Sequence, residues 1–582
     1  MNSQSPTCPE NKNFKVAIYV CVSDLHEAFA NPGWLEKSYQ LLSRYLHIDK
    51  VYFETYRNEK WANKEAILSA KRFFESRGVK VSGGITYVVS ESDFYQTCCY
   101  TRPEERKKIQ AAAELAAGLF DEILLDDFFF TNCKCEACIA AKGDKSWTQF
   151  RLDLMRDASK NLLVGPAKKV NPQISFNIKY PNWYEHFQNS GFDLELEPGI
   201  FDGIYTGTET RDPTFTHQHL QPYESYAILR YFENIAPGRN GGGWVDPFRR
   251  QYLDRYAEQL ALTLFAKARE VTLFHYGDLF EKLQQDDGTE KYLSAMAPVA
   301  GHTFNRADVF LGALGQPVGV KTYKPFHSQG EDFLPNYLGT LGIPMDITPY
   351  FPAEANICLL TEQAGFDPDI VQKIKQQLLQ GRQVMITSGL LRVLQGKGIE
   401  EIVELDYTDK KELVRRFHDW KGVYPAERDL LIPQIRYATN DAWELITALD
   451  NASGTGYPIL QRVDYAQGRL FVLTIPENLG DLYAYPQAVI TAVKKILLKD
   501  FIVYVDSPSH ISLFVYDNNT FIVASFQEYE LTARLVLDPR FTKLVELPSG
   551  RTFTGQMEAD KRVFQAQLEP HQYLVFEAES GS

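Results

Sequence analysis

FDEILLDDFFFTNCKCEACIAAKGDKSW, residues 120–147, sets an apolar run of strand length directly before two adjacent acids and then three closely spaced cysteines. An apolar run that ends abruptly in Asp126 and Asp127 reads as an interior parallel strand, buried on both faces, delivering carboxylates to the rim of a sheet or barrel. Strand ends of this kind are where barrel enzymes present their catalytic groups.

Outward from this stretch, strand-like and helix-like segments alternate from Phe14 to about Ala300. Lys15–Val22 is the first expected strand, followed by an amphipathic Trp34–Leu46; Lys50–Thr55 is the second, followed by Lys64–Ser76. Val79–Ile85 precedes a helical Pro103–Leu119, and the quoted stretch supplies strand four at Glu122–Asp126. Gln149–Leu163 as helix, Gln173–Ile178 as strand and Tyr184–Ser190 as a short helix lead to strand six at Phe201–Tyr205. The glycine-rich GRNGGGWVDP carries strand seven or its loop, Gln251–Lys267 is a helix, and Val271–Tyr276 is the eighth strand. Eight such alternations predict a (β/α)8 TIM barrel over residues 14–304.

Residues 305–500 change character. VGVKTYKPF, ANICLL, RQVMITSG and GRLFVLTIP read as strands between helices such as Asp367–Gln380 and Pro486–Leu498, which predicts a flavodoxin-like α/β domain of the class I glutamine amidotransferase-like type. Ser388 stands where a hydrolase nucleophile would, but the G-x-S-x-G elbow is absent, so the domain reads as non-catalytic. Residues 501–579 hold short runs of strand character separated by DNN, PSG and EPH, the pattern of a small antiparallel β-sandwich.

A formal net charge of -14 without any Lys/Arg block argues against nucleic acid or an anionic membrane surface as partner. No window reaches the roughly 18 apolar residues of a membrane span, and MNSQSPTCPENKNF lacks the apolar core of a secretory signal. The periplasm or cell surface of a bacterium, after removal of an export signal, and the cytoplasm both remain open as locations.

Eight cysteines in a chain of 582 residues do not make a disulfide scaffold. Cys21 and Cys358 fall in expected strands as small core residues. Cys133, Cys135 and Cys138 form a C-x-C-x-x-C cluster whose thiolates can wrap one structural Zn²⁺, with Cys98 or Cys99 as fourth ligand. Reduced thiols or a local disulfide fit the same spacing, since no second C-x-x-C or nearby His completes the set.

The order of barrel, flavodoxin-like domain and β-sandwich resembles the plan of family 42 β-galactosidases. In that family the acid/base is the Glu of an Asn-Glu pair after strand four and the nucleophile a Glu after strand seven, positions held here by Asp126-Asp127 and by Asp246. The cysteine cluster resembles a metal-binding insertion in some of those enzymes. Their flavodoxin-like domain serves oligomer contacts, so the resemblance implies a homo-oligomer. The form FD-x-x-x-LD at strand four, with an acid after strand six, is also similar to barrel α-glycosidases of the α-galactosidase type. There an Asp ending strand four is the nucleophile and the acid after strand six the acid/base, a place that FDGIYTGTETRD fills with Glu209.

Cleaving a glycosidic bond needs one carboxylic acid to protonate the leaving oxygen and one carboxylate to attack carbon or activate water. Asp126 or Asp127 and Glu209, on non-adjacent strands, would face one bound sugar. Strand alternation lets only one of the adjacent pair point at it, with Asp127 nearer the rim. Two acids in one dry pocket would raise the pKa of one by repulsion. The opposing reading is that an aspartate caps the next segment while Glu209 pairs with Arg211.

Further residues recur after expected strands: Tyr56 and Arg57; Lys179, Tyr180 and Trp183; Trp244 and Asp246; His275, Tyr276 and Asp278. Together with Arg211 they offer partners for sugar hydroxyls and platforms for sugar faces, though Trp183 and Trp244 also suit packing and His275 a satisfied rim position. Gly241–Gly243 read as a flexible active-site loop, since no Lys-Ser/Thr follows to make a phosphate loop. The expectation is a glycoside hydrolase acting on a plant, algal or host oligo- or polysaccharide, needing no cofactor for its chemistry. A metal-dependent hydrolase or lyase using the acids and His275 as ligands, and a non-catalytic carbohydrate-binding barrel, are the alternatives.

Overall fold

The computed structural model describes residues 8–581 except 94, 183–186, 213, 215–217, 219, 249–251, 286–289 and 438. It forms two compact units, Met1–Gly312 and Ala313–Ser582. In the first unit eight strands close into a barrel: β1 (Lys15–Val20), β2 (Lys50–Glu54), β3 (Lys80–Ile85), β4 (Glu122–Leu125), β5 (Ser175–Tyr180), β6 (Gly203–Gly207), β7 (Asn240–Val245) and β8 (Glu270–Leu273). Each pairs in parallel with its successor in the chain, and β8 returns to β1. This is the TIM barrel that the sequence predicts.

The strands read as continuous apolar runs because both of their faces are covered, one by the barrel interior and one by helices. All four residues of β4 are buried, as are five of the six in β1. Helix Lys64–Glu75 turns Ala66, Ile67, Ala70 and Phe74 to the barrel, and the Asn63 side chain caps it by accepting from the Glu65 and Ala66 amides. At the N-terminal end of the barrel Lys50 pairs with Glu270 at 2.6 Å and Glu122 at 3.3 Å, while Tyr52 donates to Glu270 at 2.8 Å. These groups satisfy one another, as expected of the stabilising end of such a barrel.

Three local expectations change. Cys21 lies past the end of β1 and stands at the N-cap of helix Val22–Ala30, so it belongs to the barrel mouth. β8 stops at Leu273, which leaves His275 and Tyr276 beyond it. Gly241–Gly243 are inside β7, not in a flexible loop. A Cβ on Gly242 would stand 1.9 Å from the Glu270 carbonyl oxygen, and one on Gly241 2.4 Å from the Tyr205 ring, so neighbouring strands occupy the space that side chains would need. Helix Met296–Leu311 also belongs to this unit, with Phe304 against Phe14 at 5.3 Å, and carries it past residue 304.

In the second unit five parallel strands run in the order Met345–Thr348, Val320–Tyr323, Ile357–Leu360, Gln383–Thr387 and Gly468–Leu473. That is the 2-1-3-4-5 order of flavodoxin-like sheets. The sheet then continues antiparallel through Gly456–Tyr465, Trp443–Asp450, Leu405–His418 and Val423–Tyr437, four strands that the sequence reading leaves unassigned. The Ser388 hydroxyl accepts from the Ile475 amide at 3.0 Å in a buried setting. A six-stranded and a four-stranded antiparallel sheet make up the C-terminal β-sandwich, and the larger one takes Pro317–Val318 as its first strand. Among the described residues no helix is long and apolar enough to cross a membrane.

Candidate active site

All eight strands, or the turns directly after them, bring polar side chains to the C-terminal mouth of the barrel, and a lysine stands at their centre. Lys179, the penultimate residue of β5, points inward and rests over the Trp244 ring with its Nζ 4.4 Å from the ring centre. That ammonium donates to Asp127 Oδ2 at 2.7 Å and to Glu209 Oε1 at 2.7 Å, and lies 3.6 Å from Asp126 Oδ1. Asp126 and Asp127 both follow the last residue of β4, where strand alternation no longer governs direction, so both converge on Lys179. Exposure separates them: the side chain of Asp127 is 13% exposed and that of Asp126 3%.

Asp126 is fully engaged. It accepts from Arg57 Nη2 at 3.0 Å and from the Asp127 amide at 2.9 Å, and its Oδ2 lies 3.2 Å from the Thr86 hydroxyl oxygen. Burial alone would raise its pKa, but Lys179, Arg57 and the amide outweigh burial and hold the carboxyl below its ordinary value. Asp127 has the opposite balance. Burial, together with the charges of Asp126 and Glu209, overcomes Lys179 and pushes its carboxyl up to about 7. Burial also raises Glu209, against the pull of Lys179. Lys179 itself stays charged, because its carboxylate partners more than offset the cost of burying it.

Glu209 enters from the turn after β6, where Asn182 Nδ2 donates to its carbonyl at 2.6 Å. A Cβ on Gly207 would stand 2.6 Å from Glu209 Oε2, so a residue without a side chain clears the way for the carboxylate. Arg211 does not take Glu209 as its direct partner. Its guanidinium forms a two-toothed pair with Asp246 after β7, at 3.0 and 2.8 Å, and its backbone sits at φ 59, the left-handed region. Residues held there gather at functional sites.

On the opposite side of the mouth His275 is held between Asp24 at 3.0 Å on Nδ1 and Asp278 at 3.3 Å on Nε2. Burial lowers its pKa, but Asp24, Asp278 and the Cys21 thiol outweigh burial and keep the ring protonated. Cys21, Asp24 and His275 place ligand-type atoms within 4.8 Å of one another.

Of the expected site residues, Asp126, Asp127, Glu209, Lys179, Arg57, Trp244, Arg211, Asp246, His275 and Asp278 reach the mouth. Three tyrosines do not, each for a packing reason. Tyr180 follows the inward Lys179, so it faces outward and stacks on Phe232 at 5.1 Å. Tyr56 is buried against Trp61 and Tyr87. Tyr276 lies among Trp34, Phe74 and Phe280 with its hydroxyl 3.0 Å from Ser38. Trp183 lies outside the described residues.

Glu54 joins the site although it is not among the residues expected there. This last residue of β2 is fully buried and accepts from Arg57 at 2.7 Å, Thr86 at 2.6 Å, Tyr19 at 3.1 Å and the Val22 amide at 3.0 Å. An acid ending an apolar run, VYFE, is the same signal that marked Asp126. Thr86 and Tyr19, single polar groups beside apolar neighbours, carry no such mark.

The cysteine cluster lies on the loops after β3 and β4. Its fourth member is Cys99, whose Sγ is 3.8 Å from Cys135 and 3.7 Å from Cys138; Cys135 and Cys138 are also 3.7 Å apart, and Cys133 completes the group. Four thiolates about 2.3 Å from one Zn²⁺ stand roughly 3.8 Å from each other, so the group fits a tetrahedral ion.

A family model described as "Probable glycosyl hydrolase, catalytic domain" matches residues 3–298. Models described as the second domain of the uncharacterized protein SSO3021 and as the C-terminal domain of a probable glycosyl hydrolase match 315–478 and 502–578. The uncharacterized protein SSO3021 of Saccharolobus solfataricus is 23% identical over 587 residues, covering 92% of this chain and 94% of its own. Among solved structures, Gan42B, a GH42 β-galactosidase from G. stearothermophilus, matches with a TM-score of 0.65 at 11% identity over 99% of each chain. A β-galactosidase from Bacillus circulans sp. alkalophilus gives 0.63 at 11% over 98% of this chain and 100% of its own. The exo-β-1,4-mannosidase Op5Man5 from Opitutaceae bacterium strain TAV5 gives 0.54 at 11% over 81% and 94%. These structures share the fold. Because the first family model spans the barrel and half of the chain, the protein belongs to the family of probable glycosyl hydrolases, and the mouth that gathers Asp127, Lys179 and Glu209 lies in its catalytic domain.

Proposed function

We propose that the barrel hydrolyses an O-glycosidic bond in an oligo- or polysaccharide of plant, algal or host origin, with Asp127 as general acid/base and Glu209 as the facing carboxylate. The observation that carries this reading is that one buried ammonium touches both carboxylates at 2.7 Å. Their facing oxygens are therefore no further apart than twice that distance. This favours the carboxyl spacing of about 5 Å used by retaining enzymes over the roughly 6.5–9.5 Å of inverting ones. Asp127, pushed up to about 7, holds the proton to be donated near neutral pH, and Glu209, which accepts from the Lys179 ammonium at 2.7 Å, supplies the attacking carboxylate. Asp126, held ionised by Arg57 and Lys179, positions the other two.

Because the structures with this fold include a GH42 β-galactosidase and an exo-β-1,4-mannosidase, β-glycosides are the first substrates to try. A panel of 4-nitrophenyl glycosides of both anomers, with the product anomer followed by NMR, tests the reading. Glu209→Gln should lower kcat at least about 10³-fold in a protein that still folds, and the wild type should release the retained anomer. Full activity in the variant would reject the assignment.

The reading also assigns a structural Zn²⁺ to Cys99, Cys133, Cys135 and Cys138, supported by the 3.7–3.8 Å sulfur spacing. When bound, the ion would tie two loops of the mouth together and take no part in proton transfer. Metal analysis of the purified protein, with Cys138→Ser as control, tests it.

A further inference from the structure

Beside the acid pair two aromatic rings lie in contact at the rim. Phe128 follows Asp127 directly and is half-buried, and Tyr95, 48% exposed, stacks on it with centroids 5.7 Å apart and planes 28° from parallel. Tyr95 comes from the loop after β3, between the short strands Val88–Ser90 and Gln96–Thr97, and is held at φ 51. Arg57 joins this pair to the catalytic group: its guanidinium lies 5.8 Å from the Phe128 ring centre and 3.0 Å from Asp126. The same two loops meet again through Cys99 and Cys133, Cys135 and Cys138, so Tyr95 and Phe128 are brought together on anchored segments. Phe128 leans back on the buried Phe130 at 6.3 Å, while the Tyr95 ring stacked on it stays exposed beside the general acid. The pair has the makings of a platform for a flat ring, since sugar faces and aryl groups bind to such surfaces.

We propose that Tyr95 and Phe128 form the leaving-group subsite, taking the ring of the departing sugar or of an aryl aglycone next to the acid that protonates its oxygen. This rests on the reading of Asp127 as general acid, and it adds which part of the substrate the enzyme selects and with which residues. The test has two arms on the full-length protein. In the first, 4-nitrophenol, the free aryl leaving group, is titrated by saturation-transfer NMR against wild type, Tyr95→Ala, Phe128→Leu and, as a control in the second unit, Trp443→Ala. Binding should weaken about tenfold in the first two variants and hold in the control. In the second, kcat/KM for the hydrolysed aryl glycoside is divided by that for the corresponding glycosyl fluoride, whose leaving group is too small to stack. That ratio should fall about tenfold in Tyr95→Ala and in Phe128→Leu, a loss of about 1.4 kcal/mol in the aryl-specific contribution. Unchanged 4-nitrophenol binding, or parallel loss on both substrates, overturns the proposal. No aryl-specific effect of Tyr95→Ala or Phe128→Leu while Glu209→Gln still abolishes turnover counts against the subsite alone, whereas an active Glu209→Gln counts against the catalytic reading and leaves the binding arm to decide the subsite.

Discussion

The Lys179 ammonium and the Asp127 carboxylate lie 2.7 Å apart over the Trp244 ring, with the lysine side chain only 3% exposed. A cation this deep is stable because three acids surround it, and the acids tolerate one another because the cation lies among them. Lys179→Met keeps much of the stem's bulk and removes the charge. It should cost about 3–5 kcal/mol in stability, since Asp127 and Glu209 then lose their cation in a dry pocket beside the ionised Asp126. It should also lower kcat/KM by on the order of 10²-fold, through loss of alignment of the pair. Denaturant unfolding with kinetics on an aryl glycoside measures both, and a variant of wild-type stability would contradict the buried-charge account.

The position of Asp127 sets a pH dependence. A general acid pushed up to about 7 donates below that pH and fails above it, so kcat/KM should fall on the alkaline side with an apparent pKa near 7. The linked stability runs the same way. The folded-state value lies above the ordinary 3.8, so the folded state binds this proton more tightly, and stability is lost as pH rises from about 4 through 7. Asp127→Asn cannot ionise. Its melting temperature should gain on the wild type between pH 5 and pH 8, and an equal pH response of the two proteins would refute the shift.

Arg211 and Asp246 form the other close pair at the mouth, and they separate the two catalytic schemes that the sequence permits. If the acid after β7 were the nucleophile, as in family 42, Asp246→Asn would cost kcat orders of magnitude. Asp246 is held by the two-toothed contact with Arg211 at 3.0 and 2.8 Å, with Gln259 Nε2 donating to its carbonyl at 2.6 Å, and the proposed scheme gives it a positioning role. Asp246→Asn should therefore raise KM about tenfold and leave kcat within about fivefold, while Glu209→Gln abolishes turnover. Steady-state kinetics on the two variants side by side decide the matter.

Much of this was legible because buried parallel strands announce themselves locally. The run EILLDD needs no partner to be read, and eight such runs fix the barrel. Parity along a strand was equally available: once Lys179 is taken as inward, Tyr180 must face the helices. The misses have a different cause. Leu405–His418 is largely exposed and carries charges along its length, and its partners are the hairpin mate Val423–Tyr437 and the strand Trp443–Asp450, so no apolar period marks it. The glycines of β7 look like a loop because what fills their side-chain space, the Tyr205 ring and the Glu270 carbonyl, comes from strands six and eight. Cys99 lies 36 residues from Cys135, and only the meeting of two loops shows that it, and not Cys98, joins the cluster.

That meeting gives the last prediction. Cys99, Cys133, Cys135 and Cys138 tie the loop after β3 to the loop after β4, yet no atom among them touches Asp127 or Glu209 in the contacts described. Their contribution should therefore appear in stability and not in the chemical step. Cys138→Ser, or prolonged chelation, should release about one equivalent of zinc and lower the melting temperature by several degrees, as a loss of a few kcal/mol does in a domain of this size. Turnover of a glycosyl fluoride, measured well below that temperature, should stay within about twofold of wild type. A chelated enzyme that keeps its melting temperature but loses turnover would move the metal into the reaction, and a protein that never carries zinc would return the four thiols to simple packing.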